Sequence, residues 1–374
     1  MITFKQFIKS TQAHKASIRL TEGGAAGHMS HIFDNRGLTF KELKKILKEV
    51  FEGDVSITQK LDGQNLSVTW KDGQIGLARN KATLKEPLTI DQTAKKFEGR
   101  GELKNAFVNS LKDLENAFKT VDEAKLNEWF ENGKNFLSVE IIYPGTTNVI
   151  PYDNCVLVLH GMLSYDDKLN PTGELDDEIV KEIYDELNKN DALQQKTFTI
   201  EGPQAIQINQ ALDIKDLEAE AEKKIDDFVS DNGLKDTDTI QDYIDTKVSP
   251  TEKMRKSDRA DREKEALAPL EQIILEISAK FLKMLVPFIV NNPDKKIKAL
   301  KQELETNIKD LETANLSDSD RKRIEKNIEK LEKIGLDNIV PIEGIVFKYK
   351  DKAYKLTGAF APLNQILGIL KYKK

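Results

Sequence analysis

Lys60 is the candidate nucleophile of this chain. It stands two residues before an Asp62-Gly63 pair, and it ends a run in which Val55 and Ile57 alternate with polar residues as in a β-strand. One interpretation is structural, because Asp-Gly is a common signal for a hairpin between two strands. The other is chemical. A neutral lysine amine can attack phosphorus if partial burial and neighbouring cations lower its pKa from about 10.4.

Three charged residues late in the 374-residue chain would complete such a site. Lys348 and Lys355 could face phosphate groups, where they would lower the pKa of Lys60 and stabilise charge on the phosphoryl oxygens. Glu343 could hold a magnesium ion, since Mg²⁺ is bound by carboxylates together with substrate phosphates. These residue types suit chemistry at a phosphate group.

Four segments follow one another in an order typical of a known family. They are TQKLDGQN at 58–65, SVEII at 138–142, IEGIVFK at 342–348 and YKL at 354–356. With them the chain resembles the covalent nucleotidyltransferases, which are ATP-dependent polynucleotide ligases and mRNA-capping enzymes. The resemblance implies an α+β fold with an antiparallel-sheet nucleotidyltransferase core, the ligase adenylation core. It also implies a lysyl-AMP intermediate on Lys60, with ATP and Mg²⁺ as cofactors.

Within this superfamily the chain is most similar to RNA ligases of the phage T4 RNA ligase 2 type. Asn65 carries the distinction, because DNA ligases usually have arginine five residues after the nucleophile. The implied partner is nucleic acid, with RNA favoured over DNA. AMP would pass from Lys60 to a 5′-phosphate before a 3′-hydroxyl seals the strand. The residues implied in nucleotide binding are Asp62, Gly63, Asn65, Arg79, Glu140, His160, Glu343, Lys348 and Lys355, with Glu343 also the metal ligand.

Several of these roles have ordinary structural alternatives. Arg79 would contact the nucleotide or the RNA end, or it is a surface arginine. Glu140 lies in an apolar strand at 136–143, where it would bind the ribose hydroxyls or form a structural salt bridge. His160 stands where the family has Phe or Tyr against the purine. The family also expects Lys-x-Lys in its last motif, and this chain has Thr357 in the second position.

Two other functions stay open at this point. The same fold could transfer a guanylyl group, or it could transfer the nucleotide to a protein. A degenerate core could instead bind nucleotide or nucleic acid without turnover. Thr357 favours the alternative without turnover, because a threonine there leaves the last motif one lysine short.

Composition favours a cytoplasmic protein without a membrane partner. Cys155 is the single cysteine, which excludes a disulfide framework. The longest apolar stretch, at 273–290, is interrupted by charged residues and by Pro287, so we expect no membrane span. Residues 1–10 contain two lysines and no following apolar block, unlike a secretory signal.

Charge is unevenly distributed along the chain. Residues 161–340 contain 41 Asp and Glu against 28 Lys and Arg, a balance of −13, whereas the whole chain is at −6. The remaining residues, which hold all four family-like segments, therefore carry +7. Proteins are commonly basic where they hold phosphate or nucleic acid, so the split agrees with the position of the motifs.

We expect the chain to divide into four parts. The first contains a helix at 2–17, a glycine-rich loop and a helix that begins with a capping box at Thr39 and ends at Gly53. Charged, mostly helical sequence separates the first core strands from the last ones. The parts are 1–53, the N-terminal helices and loop; 54–211, the first part of the core; 212–335, a charged helical insertion; and 336–374, the final strands and a C-terminal helix.

The glycine-rich stretch at 22–31 has two interpretations. Its backbone amides could cradle phosphate, with His28 and His31 adding contacts. It could equally be a structural loop, since it lacks the Gly-Lys-Ser/Thr ending of a phosphate-binding loop. Two histidines without further ligands make a poor zinc site.

The last two strands raise a geometric difficulty. A two-residue loop at 351–352 would set Lys348 opposite Lys355 and turn Glu343 away from both, because side chains alternate along a strand. The resemblance requires all three side chains at the nucleotide. We therefore expect a longer loop, a bulge or strong twist in this connection.

Overall fold

The computed structural model describes residues 29–146, 149–175, 177–189, 197–202, 205–206, 212–309, 316–350 and 352–372. The expected helix at 2–17, His28 and the preceding glycine-rich residues lie outside this part of the chain. The fold class is α+β, because helices accompany sheets whose strands pair mostly in antiparallel fashion. None of the helices in the described ranges combines the length and apolar character of a membrane span.

The strands are β1 (Ser30–His31), β2 (Ile57–Lys60), β3 (Gln64–Lys71), β4 (Gln74–Ala78), β5 (Asn135–Ile142), β6 (Val156–Tyr165), β7 (Pro171–Glu174), β8 (Thr199–Glu201), β9 (Ala205–Ile206), β10 (Gly344–Tyr349) and β11 (Lys352–Thr357). The α-helices are α1 (Phe40–Glu52), α2 (Lys81–Lys85), α3 (Ile90–Lys96), α4 (Glu102–Phe118), α5 (Glu123–Phe130), α6 (Asp177–Asn188), α7 (Lys215–Asp231), α8 (Ile240–Lys247), α9 (Lys256–Ile289), α10 (Pro293–Lys309), α11 (Asp318–Ile334) and α12 (Phe360–Tyr372).

The first sheet has the strand order β1-β11-β10-β2-β9. Strand β10 pairs antiparallel with both β2 and β11, and β1 runs parallel to β11 at the edge. One face of this sheet is apolar, with Ile57, Ile345 and Phe347 buried in a core shared with α1, α7, α8 and α9. Because side chains alternate along each strand, the opposite face is left to Lys60 and its neighbours.

The second sheet has the order β4-β3-β5-β6-β7, with β8 parallel to β6. Its apolar face, which includes Leu66, Val139 and Leu159, packs in a second core with α4, α5 and α6. Strand β5 is buried along its whole length. The chain passes from the first sheet to the second between β2 and β3, directly after Lys60.

Residues 212–335 are largely helical, as predicted, but α7, α8 and α9 do not form a separate domain. Ile225, Ile244 and Phe281 lie in the same core as the sheet that carries Lys60. Helices α10 and α11 share another core with α12 and with Val149 and Ile150. The predicted boundary at 212 therefore does not divide two cores. Periodicity reveals that a helix is amphipathic, but it does not reveal which sheet the apolar stripe covers.

The limits of α1 confirm the prediction for that helix. Thr39 is its N-cap, where the hydroxyl accepts the Glu42 N–H and the Glu42 carboxylate accepts the Thr39 N–H. Gly53 ends the helix in the left-handed region at φ 78°. Both signals are local, so the sequence alone is sufficient for them.

Candidate active site

Lys60 is the last residue of β2, and its side chain is only 4% exposed. Its ammonium forms an ion pair with the carboxylate of Glu343, whose side chain is 12% exposed. Glu343 directly precedes β10, and Gly344 lies opposite Lys60 in the β2–β10 ladder. The register of this ladder brings the two charges together. Each charge offsets the cost of burying the other.

Lys348 and Lys355 lie on the same face of the first sheet as Lys60. Directly opposite residues share a face, and the ladders pair Lys60 with Gly344 and Lys355 with Val346. Positions 344, 346 and 348 of β10 alternate onto that face. Both lysines are half-buried. Lys348 is nevertheless displaced from Lys60 by four residues of β10, about 13 Å along the strand, and the fully buried Val346 lies between them, packed against Met29. Of the two predicted lysines, Lys355 is therefore the one that lies toward Lys60, and Lys348 is not brought to it.

The connection between β10 and β11 differs from the prediction. Tyr349 pairs with Lys352, so the connecting residues are 350–351 and Lys348 lies opposite Ala353. The pairing is regular throughout, and the expected longer loop or bulge is wrong. Glu343 still reaches Lys60 because it precedes the strand, where the alternation of the ladder does not dictate its direction.

The Asp62-Gly63 pair does not close a hairpin, because β2 and β3 belong to different sheets. The Asp62 carboxylate accepts the N–H groups of Val149 and Ile150, at 2.6 and 2.9 Å. The Asp62 N–H donates to the hydroxyl of Tyr152 at 2.8 Å. Asp62, which the resemblance assigns to nucleotide binding, therefore holds the 149–152 segment against the turn after Lys60.

Gly63 is required by close packing against β5. A Cβ placed on it would lie 2.6 Å from the carbonyl oxygen of Ile141 and 2.7 Å from Oε1 of Glu140. The first neighbour is backbone, which cannot move without disturbing the β3–β5 ladder. Gly63 thus lets the turn after Lys60 approach the Glu140 carboxylate.

Asn65, Glu140 and His160 form a polar group on the second sheet. Asn65 lies opposite Glu140, and its side-chain amide donates to Ser138 Oγ at 3.2 Å and to Glu140 Oε2 at 3.4 Å. His160 Nε2 is 3.9 Å from the same Glu140 oxygen. Burial, and after it the charge of Lys60, lowers the pKa of His160 from 6.5 to about 3. This histidine is therefore a neutral ring at neutral pH.

A register shift in the β5–β6 ladder lies beside His160. Val139 pairs with Leu159 and Ser138 pairs with Gly161, so His160 and Gly161 both face Ser138. Val158 lies opposite Glu140 and therefore points to the same face of the sheet. His160 is two residues after Val158, so its side chain also points to that face. The register shift begins only after His160.

Arg79 follows β4 and lines a cavity with Glu140. Its Cζ lies 4.9 Å from the centre of the Phe107 ring, which in turn stacks on Phe97 with centres 4.5 Å apart. Burial lowers the pKa of Arg79, the Glu140 carboxylate opposes this shift, and the charge of Arg100 adds to it. Arg79 is half-buried and directed into the site.

Two cavities flank the chain at Leu61. The first is about 260 Å³ and has a mixed lining, in which apolar side chains such as Ile142 and Val158 accompany the charged residues Asp153, Glu201 and Lys296, with His160 also on the wall. The second is about 220 Å³ and is strongly charged. Residues of the first include Thr58, Leu61, Ile142, Tyr152, Val158 and His160. Residues of the second include Lys60, Asp62, Asn65, Arg79, Glu140 and Glu343.

Sequence reasoning missed Tyr152 and did not locate His31. Burial, and next the Asp62 carboxylate, raises the pKa of Tyr152 well above its ordinary value. Tyr152 lies in an irregular segment, where periodicity carries no signal. His31 forms half of the two-residue strand β1 and lies opposite Lys355. A strand of that length is too short for a sequence pattern to reveal.

The site has features that fit an anionic, polar ligand. Among the described residues, three buried polar atoms near Lys60 have no hydrogen-bond partner: Thr58 Oγ1, Thr357 Oγ1 and His160 Nδ1. The ladders place Thr58 and Thr357 on the Lys60 face. Buried polar groups in native proteins are nearly always hydrogen-bonded, so these three atoms could pair with a bound ligand.

The same residues allow magnesium only together with a substrate. No group of three or more His, Cys, Asp or Glu side chains suited to a metal occurs in the described part of the chain. Glu343 is a single carboxylate, and Mg²⁺ is commonly held by one or two carboxylates plus substrate phosphates. The donor set fits a metal that arrives with phosphate.

No model of a known protein family matches this chain, and no curated protein matches it either. The geometry around Lys60 and the four family-like segments are the features that point to a function.

Proposed function

We propose that the protein is an ATP-dependent RNA ligase-like nucleotidyltransferase that forms lysyl-AMP on Lys60. The observation that carries the proposal is the buried Lys60, paired with Glu343 on the sheet face that also carries Lys355. A polyanionic substrate would meet further cations on this face in addition to the Lys60–Glu343 pair. A nucleoside triphosphate is a polyanion that would bind to such a face.

The proposed chemistry has three transfers. The neutral Lys60 amine attacks the α-phosphorus, so that a P–N bond forms, the α–β P–O bond breaks and pyrophosphate leaves. An oxygen of a 5′-phosphate then attacks the same phosphorus, and AMP passes from Lys60 to the nucleic acid. A 3′-hydroxyl finally displaces AMP and closes the strand. Lys355 would stabilise the charge that builds on the phosphoryl oxygens in the first transfer.

The two cavities support this division of the substrate. The first offers the apolar side chains of Ile142 and Val158 and a neutral His160 ring, which suit a stacked base. The second holds Asn65 and Glu140, whose amide and carboxylate suit the ribose hydroxyls. Lys60 borders the charged cavity, and Thr58, two residues earlier on β2, borders the first one. A nucleotide that spans both cavities would therefore present its α-phosphate near the Nζ atom of Lys60.

Glu343 would hold Mg²⁺ through its carboxylate. Bound metal supplies neutralisation of the phosphate charge. In the structure Glu343 is paired with Lys60, and a neighbouring carboxylate favours the charged form of a lysine. Before the amine can attack, the Glu343 carboxylate must therefore leave the ion pair with Lys60 and bind the metal instead.

Incubation with α-³²P-labelled ATP or GTP, followed by denaturing electrophoresis, tests the proposal. We expect magnesium-dependent covalent label from ATP. Lys60→Arg is the matched control, because arginine can keep the ion pair with Glu343 but stays charged and cannot attack. Labelling of the Lys60→Arg variant would reject Lys60 as the nucleophile. Label from GTP alone would instead favour guanylyl transfer.

A binding protein without turnover is the second candidate. Thr357, which stands where the family has a lysine, is 3% exposed and lies on the Lys60 face. The site therefore has one cation fewer than the resemblance implies. Saturable binding of ATP without any covalent label would favour this candidate.

A further inference from the structure

His31 adds a polar side chain to the Lys60 face of the first sheet, one strand beyond Lys355. It lies opposite Lys355 in the parallel β1–β11 pair, so it shares the face of Lys60, Lys348 and Lys355. From Lys60 outward, the strands follow in the order β2, β10, β11 and β1. His31 is thus the outermost of these residues, three strand spacings of about 4.8 Å across the sheet from Lys60 and two residues, about 7 Å, along the strand direction.

The imidazole of His31 is held in one orientation. Its ring stacks on Phe33 with centres 4.7 Å apart and an interplanar angle of 9°. The backbone N–H of His31 donates to the Asp34 carboxylate at 2.8 Å, which fixes the main chain at this residue. The segment is also tied to β11, because the Asn35 side chain donates to the Tyr354 hydroxyl at 2.6 Å. Stacking occupies one face of the ring and leaves its nitrogen-bearing edge as the reactive part.

The protonation state of His31 limits the chemical roles that its imidazole can have. Burial lowers its pKa from 6.5 to about 3, and Lys355 and then Lys60 add to this shift. So weak a base does not suit removal of the Lys60 proton, since general bases work best with a pKa near the operating pH. A neutral imidazole still carries one N–H donor. Donation to an anion remains the chemistry open to it.

We propose that His31 donates a hydrogen bond from its imidazole to the β- or γ-phosphate of the bound nucleoside triphosphate. This inference rests on the proposed function. Lys60 must meet the α-phosphorus, and pyrophosphate must leave on the side away from the attacking amine. A triphosphate that runs outward across β10 and β11 brings its outer phosphates to β1. His31 then adds a donor to a site where Thr357 stands in place of the second expected lysine.

Equilibrium binding of α,β-methylene ATP and of AMP to the full chain tests this contact. The analogue has an uncleavable α–β bridge, so binding is separated from covalent chemistry. His31→Phe keeps the stack on Phe33 but removes the N–H. We expect its affinity for the analogue to fall about tenfold, the effect of one hydrogen bond to a charged group, with AMP binding unchanged. His31→Gln retains a donor and should recover most of the affinity.

The possible outcomes separate the two proposals. If the wild-type protein labels itself with ATP while His31→Phe binds the analogue as tightly as wild type, the His31 contact is rejected and the proposed function stands. If the wild-type protein binds neither nucleotide, both fail. If the variant does not fold, NMR spectra of the wild-type chain with ¹⁵N-labelled histidine test the contact instead. The chain has four histidines, so few ring signals have to be assigned. The ring signal of His31 should shift with the analogue and not with AMP, and an unchanged signal rejects the contact.

Discussion

Lys60 and Glu343 form an ion pair between adjacent strands of the first sheet, with side chains only 4% and 12% exposed. The two residues lie in different thirds of the chain and meet because β2 pairs with β10. Removing one partner of such a pair leaves the other charge buried and uncompensated. The pair therefore contributes to the folded state as well as to the proposed chemistry.

Glu343→Gln should affect both stability and labelling. We expect the free energy of unfolding to fall by about 3 kcal/mol, because the Lys60 ammonium loses its buried counter-charge. Magnesium-dependent self-labelling should fall on the order of a hundredfold, the effect of one electrostatic contact to the transition state. Urea unfolding and label incorporation measure the two quantities. Labelling near the wild-type rate would show that Glu343 acts only in the fold.

Gly63→Ala should disturb the site through a steric conflict. The new Cβ would meet the Ile141 carbonyl at 2.6 Å, so the turn or β5 must shift, and the cost should be about 1–3 kcal/mol. Gly161→Ala is the matched control, because a Cβ there has no heavy atom within 4 Å. It should change stability by less than about 0.5 kcal/mol. Equal thermal stability of the two variants would contradict the packing at Gly63.

His160 should make the protein less stable as the pH falls. Its pKa is about 3 in the folded state and 6.5 ordinarily. Between these values the unfolded chain binds more protons, so stability rises with pH through this window and is lost as the pH decreases. Going from pH 7 to pH 5 should cost about 2 kcal/mol through this residue.

His160→Phe should remove that part of the pH dependence. Phenylalanine is an aromatic residue of the type that the family has at this position, and its ring would lie on the wall of the first cavity. The substitution also removes the Nδ1 atom that has no hydrogen-bond partner. Urea unfolding at pH 7 and pH 5 measures the effect. The difference between the two pH values should shrink relative to wild type, while the contribution of His31 remains in both proteins. An unchanged difference would mean that His160 is not the group that titrates.

Arg79→Lys should impair use of a nucleic-acid end more than self-labelling. Lysine keeps the charge but cannot stack its plane on Phe107, where the Arg79 Cζ lies 4.9 Å from the ring centre. We expect joining of 5′-phosphorylated RNA to fall about tenfold, as for one lost charge-assisted hydrogen bond. Arg100→Lys is the control, because Arg100 is exposed and lies 5.5 Å from the Phe97 ring at the other end of the stack. Equal loss in both variants would assign the effect to surface charge.

Local signals in the sequence were sufficient for several features. Capping at Thr39 and Gly53 set the limits of α1, because each signal acts within one turn of the chain. Alternation along β10 and β11 was enough to identify the strands of Lys348 and Lys355. Motif order selected Glu343 as a residue of the site around Lys60, and in the structure its carboxylate forms an ion pair with Lys60.

Other features depend on contacts between distant parts of the chain, and only the tertiary structure decided them. Asp62-Gly63 was compatible with a hairpin until β2 and β3 were seen in different sheets, since a turn signal does not specify which strands pair. The charged helices after residue 212 cover the sheet because its apolar face must be buried, and periodicity does not name the partner surface. His31 reaches Lys355 through a two-residue parallel pair, and so short a strand owes its position to packing and not to propensity.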